Sequence, residues 1–344
     1  MKTLKELVRP NIYNLEYTNT ARTGIANRES YVLLDADENP YNSPYNRYPD
    51  SSMTDIKILL SKVKGVAFDN IFVANGRSLL IDALYRCFCR PTIDNVVSVS
   101  PSCGLCRKLA KINDVVYREV SLDDNFQLSA EVLLNACDFN TKILWISSPN
   151  DVSGIVPDAK EVALVLEMFD GVVVIDESYS DFNKQPVWRS RLRDYPNLIV
   201  LNTLDNSWGC AAISVAMLYA NSQIVDVLNK LRDCCIVESF AQKVALQQLR
   251  EPFEAERWAR SIAIERQRMV VAFKALPMCI KVYPSEANFL LVKFNDAMAI
   301  YNYLLTKGII VKDCSKIEQC GDCLRIAVGS KLENNELLAA LRQY

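Results

Sequence analysis

The sequence contains no histidine among its 344 residues. That removes imidazole as general base, metal ligand and triad member, and closes the hydrolase mechanisms that depend on it. Chance divergence and economy in a protein made when histidine is scarce both account for the absence. A strong charge of either sign is missing too. With 39 Lys and Arg against 41 Asp and Glu, the net charge is −2, which gives no electrostatic reason to expect nucleic acid or an anionic membrane as partner. No apolar run is long enough to cross a bilayer, and residues 1–7 hold no apolar core of signal-peptide length, so a cytoplasmic protein is expected. Neither an internal repeat nor a low-complexity linker is present.

What is there is globular: 50% apolar and 23% charged residues, on a chain long enough for one large domain and a smaller one. Twelve cysteines read as free thiols rather than a disulfide framework. Two CxxC spacings, Cys103–Cys106 and Cys320–Cys323, lie far apart, and no histidine can complete a ligand set, so no metal is expected.

Along the chain, Pro40, Pro44 and Pro49 exclude a continuous helix from about Val32 to Tyr48, leaving an irregular arm. Ser51 or Ser52 can cap a helix with Met53, Ile56, Leu60 and Val63 on one face, stopped by Gly65. Short apolar runs then suggest buried strands at 71–73, 96–99, 115–117, 143–146, 172–175, 198–201 and 215–218. Helical periodicities at 79–88 and 162–169 lie between them, and Pro157 suits a first helical turn for the second. Strands alternating with helices predict a doubly wound, largely parallel sheet with both faces covered.

After about Leu218 the texture changes. Helical patterns at 224–231 and 255–276 precede apolar runs at 288–292, 308–311 and 324–328, with helices near 297–305 and from about Glu333. The expected organisation is an arm over 1–50 that contributes to the small domain and a dimer interface, a large domain over 51–235, and a small α+β domain over 236–344.

Segments at strand ends carry the candidate chemistry, because ligands collect there in open α/β sheets. They are Asn75-Gly76-Arg77-Ser78, Ser148-Pro149-Asn150-Asp151-Val152-Ser153-Gly154, Asp176-Glu177-Ser178-Tyr179, and the stretch Thr203 to Ser214 between two apolar runs. Taken alone, Asp176 reads as a strand-end aspartate capping a turn.

Their order resembles the histidinol-phosphate aminotransferases, fold type I enzymes that use pyridoxal phosphate. Asp37-Glu38-Asn39-Pro40-Tyr41 and Asn46-Arg47-Tyr48-Pro49-Asp50 are similar to that family's arm. Ser148-Pro149-Asn150 opens its SPNNPTG loop, and Asp176-Glu177-Ser178-Tyr179 stands at its DEAY. Ser285-Glu286-Ala287-Asn288-Phe289 and Cys323 to Gly329 match its small-domain motifs. The resemblance implies an α/β fold of type I, with a large doubly wound mixed sheet, a smaller α+β domain and a homodimer with shared sites. It also implies pyridoxal phosphate, with Asp176 on the pyridine nitrogen and Tyr179 on the phenolic oxygen. Thr203 and Gly76 would lie in the phosphate region, Tyr48 would reach the neighbouring subunit's cofactor, and Arg325 would hold a substrate carboxylate near Asn39 and Lys312.

The departures from the family pattern fall on the chemistry. TLSKAFGLAGLR becomes the stretch Thr203 to Ser214, so Asn206 stands at the Schiff-base lysine. An amide can neither form the aldimine nor shuttle the proton. Asp205 replaces a serine and Ser214 an arginine, both phosphate partners in the family. The GSDE turn reads Gly76-Arg77-Ser78-Leu79, where Arg77 returns some positive charge. Asp151 replaces the asparagine that donates to the phenolate oxygen, and Cys103 replaces the tyrosine that stacks on the ring. The expectation is a non-catalytic or strongly impaired relative, able to pair with an active paralogue or to bind a small amino-acid or phosphorylated metabolite. An active aminotransferase of histidine biosynthesis (histidinol phosphate with 2-oxoglutarate) and a cofactor-free metabolite-binding dimer stay open beside it.

Overall fold

The computed structural model describes residues 2–16, 21–102, 104–183 and 185–344. Seven strands build the large sheet: β1 (Ile71–Asn75), β2 (Asn95–Ser100), β3 (Val116–Ser121), β4 (Thr141–Ser147), β5 (Val172–Asp176), β6 (Leu198–Thr203) and β7 (Val215–Ala220). Their order is β1-β7-β6-β5-β4-β2-β3. Only β7 runs antiparallel to its neighbours, and every other pair is parallel. The fold is therefore the expected α/β mixed sheet of type I.

The continuous apolar runs of the central strands have a direct structural cause. Alternate side chains enter two different cores. Leu144, Ile146, Val173, Ile175, Leu198 and Val200 pack on one face, while Ile143, Trp145, Val172, Val174, Ile199 and Leu201 pack on the other. A strand covered on both sides has no polar face to show. The run at 115–117 is expected to be buried and is so only in part: Val115 is buried and Tyr117 half-buried in the second core. β3 lies at the sheet edge and pairs only with β2, and Val116 is exposed.

The helix Thr54–Lys64 ends at Gly65 as expected, but neither Ser51 nor Ser52 caps it. Asp50 does that work, its carboxylate accepting from the Ser52 and Thr54 amides at 2.8 Å each, since a charged acceptor at a helix start binds orphan N–H groups better than a hydroxyl. Pro157 lies just outside the helix Ala159–Met168, which is capped by Asp158.

A second, antiparallel sheet contains β8 (Cys279–Val282), β9 (Phe289–Phe294), β10 (Lys312–Asp313) and β11 (Cys323–Ala327) in the order β10-β11-β9-β8. The 308–311 run precedes β10 rather than forming it. Helices Pro252–Lys274, Ala297–Thr306 and Lys331–Gln343 supply the third core with Met269, Phe273, Ile300, Leu304, Leu338 and Leu341. Cys314, Cys320 and Cys323, beside this sheet, are buried in the first core, and burial pushes the Cys320 thiol up to about 12 and Cys323 to about 11, the signature of packing thiols rather than reactive ones. Among the described residues no three metal-capable side chains converge, and no helix is long and apolar enough to cross a membrane.

The arm over 31–50 is irregular. Arg22 pins it with paired bonds to Asp35 (2.6 Å) and Glu38 (2.8 Å), and Glu38 also takes Arg47 at 2.8 Å and the Tyr48 amide at 2.7 Å.

Candidate functional site

Four strand ends converge on the site. β1 ends at Asn75 and hands the chain through Gly76 to the helix Arg77–Phe88, whose buried face is Leu80, Ile81, Leu84, Tyr85 and Phe88. β4 leads into the 148–154 loop, β5 ends on Asp176, and β6 ends on Thr203. Gly76 has φ +84°, and a Cβ built there would meet Ser214 Oγ at 2.5 Å. The β1 and β7 ends thus approach as closely as a bare Cα allows.

The centre of the site is a cluster of charges. The Arg77 guanidinium lies 2.6 Å from Asp176 Oδ2 and 3.4 Å from Asp151 Oδ2. The three side chains are 17%, 3% and 4% exposed. The other oxygen of Asp176 accepts from the Ser178 hydroxyl at 2.5 Å and the Ser178 amide at 3.0 Å. Burial pushes the Asp151 carboxyl above the ordinary range, with Arg77 pulling it back and Asp176 adding to the rise. Two buried acids of like charge at one place need a cation, and Arg77 is that cation.

Beside this cluster, the Asn206 side-chain amide donates to the Ser178 carbonyl at 2.9 Å. Thr203 Oγ1 accepts from the Asp205 amide at 2.9 Å, shaping the turn. Burial raises the Asp205 carboxyl, opposed by its contact with Thr203 and by Arg77. Behind the turn, Lys64 pairs with Asp181 at 2.9 Å and Asp181 accepts from Ser207 at 2.7 Å. Burial pulls the Lys64 ammonium down and Asp181 opposes that.

The small sheet reaches the cluster through Arg325 on β11. Its guanidinium stacks 3.8 Å from the Phe289 ring centroid and donates to the Tyr179 hydroxyl at 3.1 Å. Tyr179 meets Phe289 edge to face at 5.3 Å. Burial raises the Tyr179 hydroxyl, with Arg325 the largest opposing influence. Lys312 is opposite Arg325 in the β10–β11 ladder, so both cations share one face. The 148–154 loop is clamped to the same side: Glu286 donates its amide to the Gly154 carbonyl at 2.7 Å, and a Cβ on Gly154 would meet Ser285 Oγ at 2.2 Å.

Asp176, Asp151, Arg77, Tyr179 and Arg325 are thus brought together, with Asn206, Asp205, Thr203, Gly76 and Ser214 around the adjoining turns. Tyr48 and Asn39 are not among them. Tyr48 is 70% exposed, and Asn39 closes a local turn by accepting from the Tyr41 amide at 2.9 Å. Cys103 lies outside the described residues. Sequence reading had given no role to Ser178, Phe289 or the Lys64–Asp181 pair. Ser178 sits inside a quoted motif and could have been weighed as the hydroxyl nearest Asp176; Lys64 carries no local signal.

This donor set does not fit pyridoxal phosphate as it stands. The carboxylate that would face a ring nitrogen is already engaged by a guanidinium on one oxygen and a hydroxyl on the other. The residue that would neighbour the phenolic oxygen, Asp151, is a buried acid, and the residue that would hold the aldehyde carbon is an amide committed to a backbone carbonyl.

A model of the family described as aminotransferase class I and II matches residues 33–341. Proteins named histidinol-phosphate aminotransferase from Bacteroides fragilis and Bacteroides thetaiotaomicron are each 44% identical over 344 residues, covering 100% of this chain and 100% and 99% of their own. Among solved structures, the histidinol-phosphate aminotransferase of Clostridium acetobutylicum superimposes with a TM-score of 0.78 at 20% identity, covering 87% of this chain and 90% of its own. That of Sinorhizobium meliloti, in complex with pyridoxal-5'-phosphate, gives 0.77 at 21% identity, covering 86% and 82%. The resemblance on which the cofactor was expected thus extends over the whole chain.

Proposed function

The chain belongs to the aminotransferase class I and II family, among relatives named histidinol-phosphate aminotransferase, and from that ancestry we propose that it keeps the scaffold of a transaminase and has lost transamination. The observation that carries this reading is Asn206. Its amide nitrogen is neither basic nor nucleophilic, and it is spent on the Ser178 carbonyl. No lysine occurs between Lys184 and Lys230 to replace it from the same loop. Asp151, Asp205 and Arg77 support the reading, because each alters a position that the resemblance gives to the cofactor.

The residues do other work. Arg77 neutralises Asp176 and Asp151, and Arg325 ties the small sheet to Tyr179. One observation favours a second reading, a cofactor-free dimer that binds a small acidic metabolite. Lys312 and Arg325 stand on one face, and Arg325 Nε has no hydrogen-bond partner among the described residues, which suits a carboxylate or phosphate.

The same reading makes the chain a cytoplasmic homodimer or the partner of an active paralogue. Its arm exposes Tyr31, Val32, Leu34, Tyr41, Tyr45 and Tyr48, a patch that favours burial against a second subunit.

Borohydride reduction after incubation with pyridoxal phosphate tests the loss of the nucleophile. The expected result is no pyridoxyl-lysine at any site of the pocket by peptide mass spectrometry. A stoichiometric pyridoxyl adduct on one pocket lysine would refute the reading.

A further inference from the structure

Arg77 is the first residue of its helix, and its side chain crosses from the end of β1 to the ends of β4 and β5. Asp176 and Asp151 are almost wholly buried, and the guanidinium is the cation that both face. Ser178 hydrogen-bonds the remaining oxygen of Asp176, while Oδ2 meets the guanidinium as an ion pair and accepts no hydrogen bond among the described residues.

We propose that Arg77 determines what the pocket accepts: it is the built-in counter-cation of Asp176 and Asp151, and it excludes any ligand that must offer Asp176 a protonated ring nitrogen. The inference rests on the reading that the pocket descends from a pyridoxal phosphate site, but not on Asn206. The guanidinium stands 2.6 Å from Oδ2 as an ion pair, so a pyridinium N–H could reach that oxygen only by displacing it. Bringing in a second cation would require displacing the first and leaving it buried without its partner, an uncompensated charge. Arg77 and Asp151 act as one unit, because the extra acid at 151 is tolerated only beside the extra cation at 77.

The test keeps Asn206 and measures non-covalent binding, so that it is independent of Schiff-base chemistry. Parent, Arg77→Ser, Arg77→Lys and Arg77→Ser/Asp151→Asn are titrated by equilibrium dialysis with pyridoxal phosphate and with phenyl phosphate, which has a phosphate and a ring but no ring nitrogen. The serine and asparagine are the residues of the matching family motifs. The double variant removes a positive and a negative charge together, which keeps a folded protein available if Arg77→Ser alone does not fold. The expected result is that the ratio of pyridoxal phosphate to phenyl phosphate affinity rises roughly tenfold or more in the double variant, the gain of one charge-assisted hydrogen bond to Asp176. Arg77→Lys is expected to stay like the parent. An unchanged ratio in a folded double variant overturns the proposal, as does a parent that already prefers the pyridine ligand by that margin. Transamination by the parent would overturn both readings, whereas an unchanged ratio with an inactive parent overturns only this one, so the two failures are distinguishable.

Discussion

At the scale of single residues, the proposed loss of transamination makes Asn206 one of several linked changes rather than an isolated gap. Asp176 still ends β5, but its partner is an arginine that enters from β1. A lysine at 206 alone therefore leaves Asp176 paired with Arg77. Asn206→Lys is expected to retain pyridoxal phosphate at least about tenfold less well than the triple variant with Arg77→Ser and Asp151→Asn, as read from the Schiff-base absorbance band after gel filtration. Equal retention by the two would show that Arg77 moves aside without cost.

Removing Arg77 also has a thermodynamic consequence. Breaking a buried ion pair on one side strands the other charges, and Arg77→Ser is expected to lose about 3–5 kcal/mol in urea unfolding. Adding Asp151→Asn should recover part of that loss, because one stranded acid is gone. A neutral Arg77→Ser would mean that water solvates this cluster far better than its burial indicates.

At the scale of elements, the site depends on contacts between segments distant in sequence. The strands β4 to β6 were legible because burial on two faces leaves a continuous apolar run, and the loops after them were legible as strand ends. Several helices were not legible. Gly104–Ile112, Ala130–Asn135 and Ser239–Leu249 bury only two apolar side chains each: Cys106 and Ala110, Ala130 and Leu133, Ala245 and Leu249. The edge strand β3 was read as buried because its apolar start looks the same whether or not a neighbour covers it. The direction of the Arg77 side chain was beyond any local pattern. Sequence places it in a turn, and only the meeting of the β1, β4 and β5 ends gives it two carboxylates.

The clamp between the 148–154 loop and the small sheet makes a prediction at this scale. Gly154 has φ +78°, and an added Cβ would lie 2.8 Å from Ser285 Cβ and 3.3 Å from its Cα, atoms that cannot rotate away. Gly154→Ala is expected to cost about 1–3 kcal/mol through backbone strain and overpacking, read as a lower urea midpoint. An unchanged midpoint would mean that the two segments separate freely.

At the scale of the whole molecule, the arm is held by charge more than by packing. Hydrogen bonds from Arg22, aided by Arg47 and the Tyr48 amide, hold the Glu38 carboxyl down at about 2, well below an ordinary glutamate. A depressed carboxyl contributes stability that is fully present above about 4.5 and is lost as pH falls toward about 2. Amide protection over residues 21–50, each exchange rate taken relative to its intrinsic rate at that pH, is therefore expected to fall across that interval before the large sheet opens. Protection that is kept down to about pH 2 and lost on the alkaline side instead would contradict the Arg22–Glu38 anchor.

The two sheets match the fold of the solved aminotransferases, and the proposed function places the difference in the charges around Asp176. The most direct measurement of that account is amino transfer itself. Purified protein is incubated with excess pyridoxal phosphate, histidinol phosphate and 2-oxoglutarate, and glutamate is followed against a protein-free control. The account predicts glutamate formation no faster than the control. Turnover that scales with protein and saturates with histidinol phosphate would contradict it.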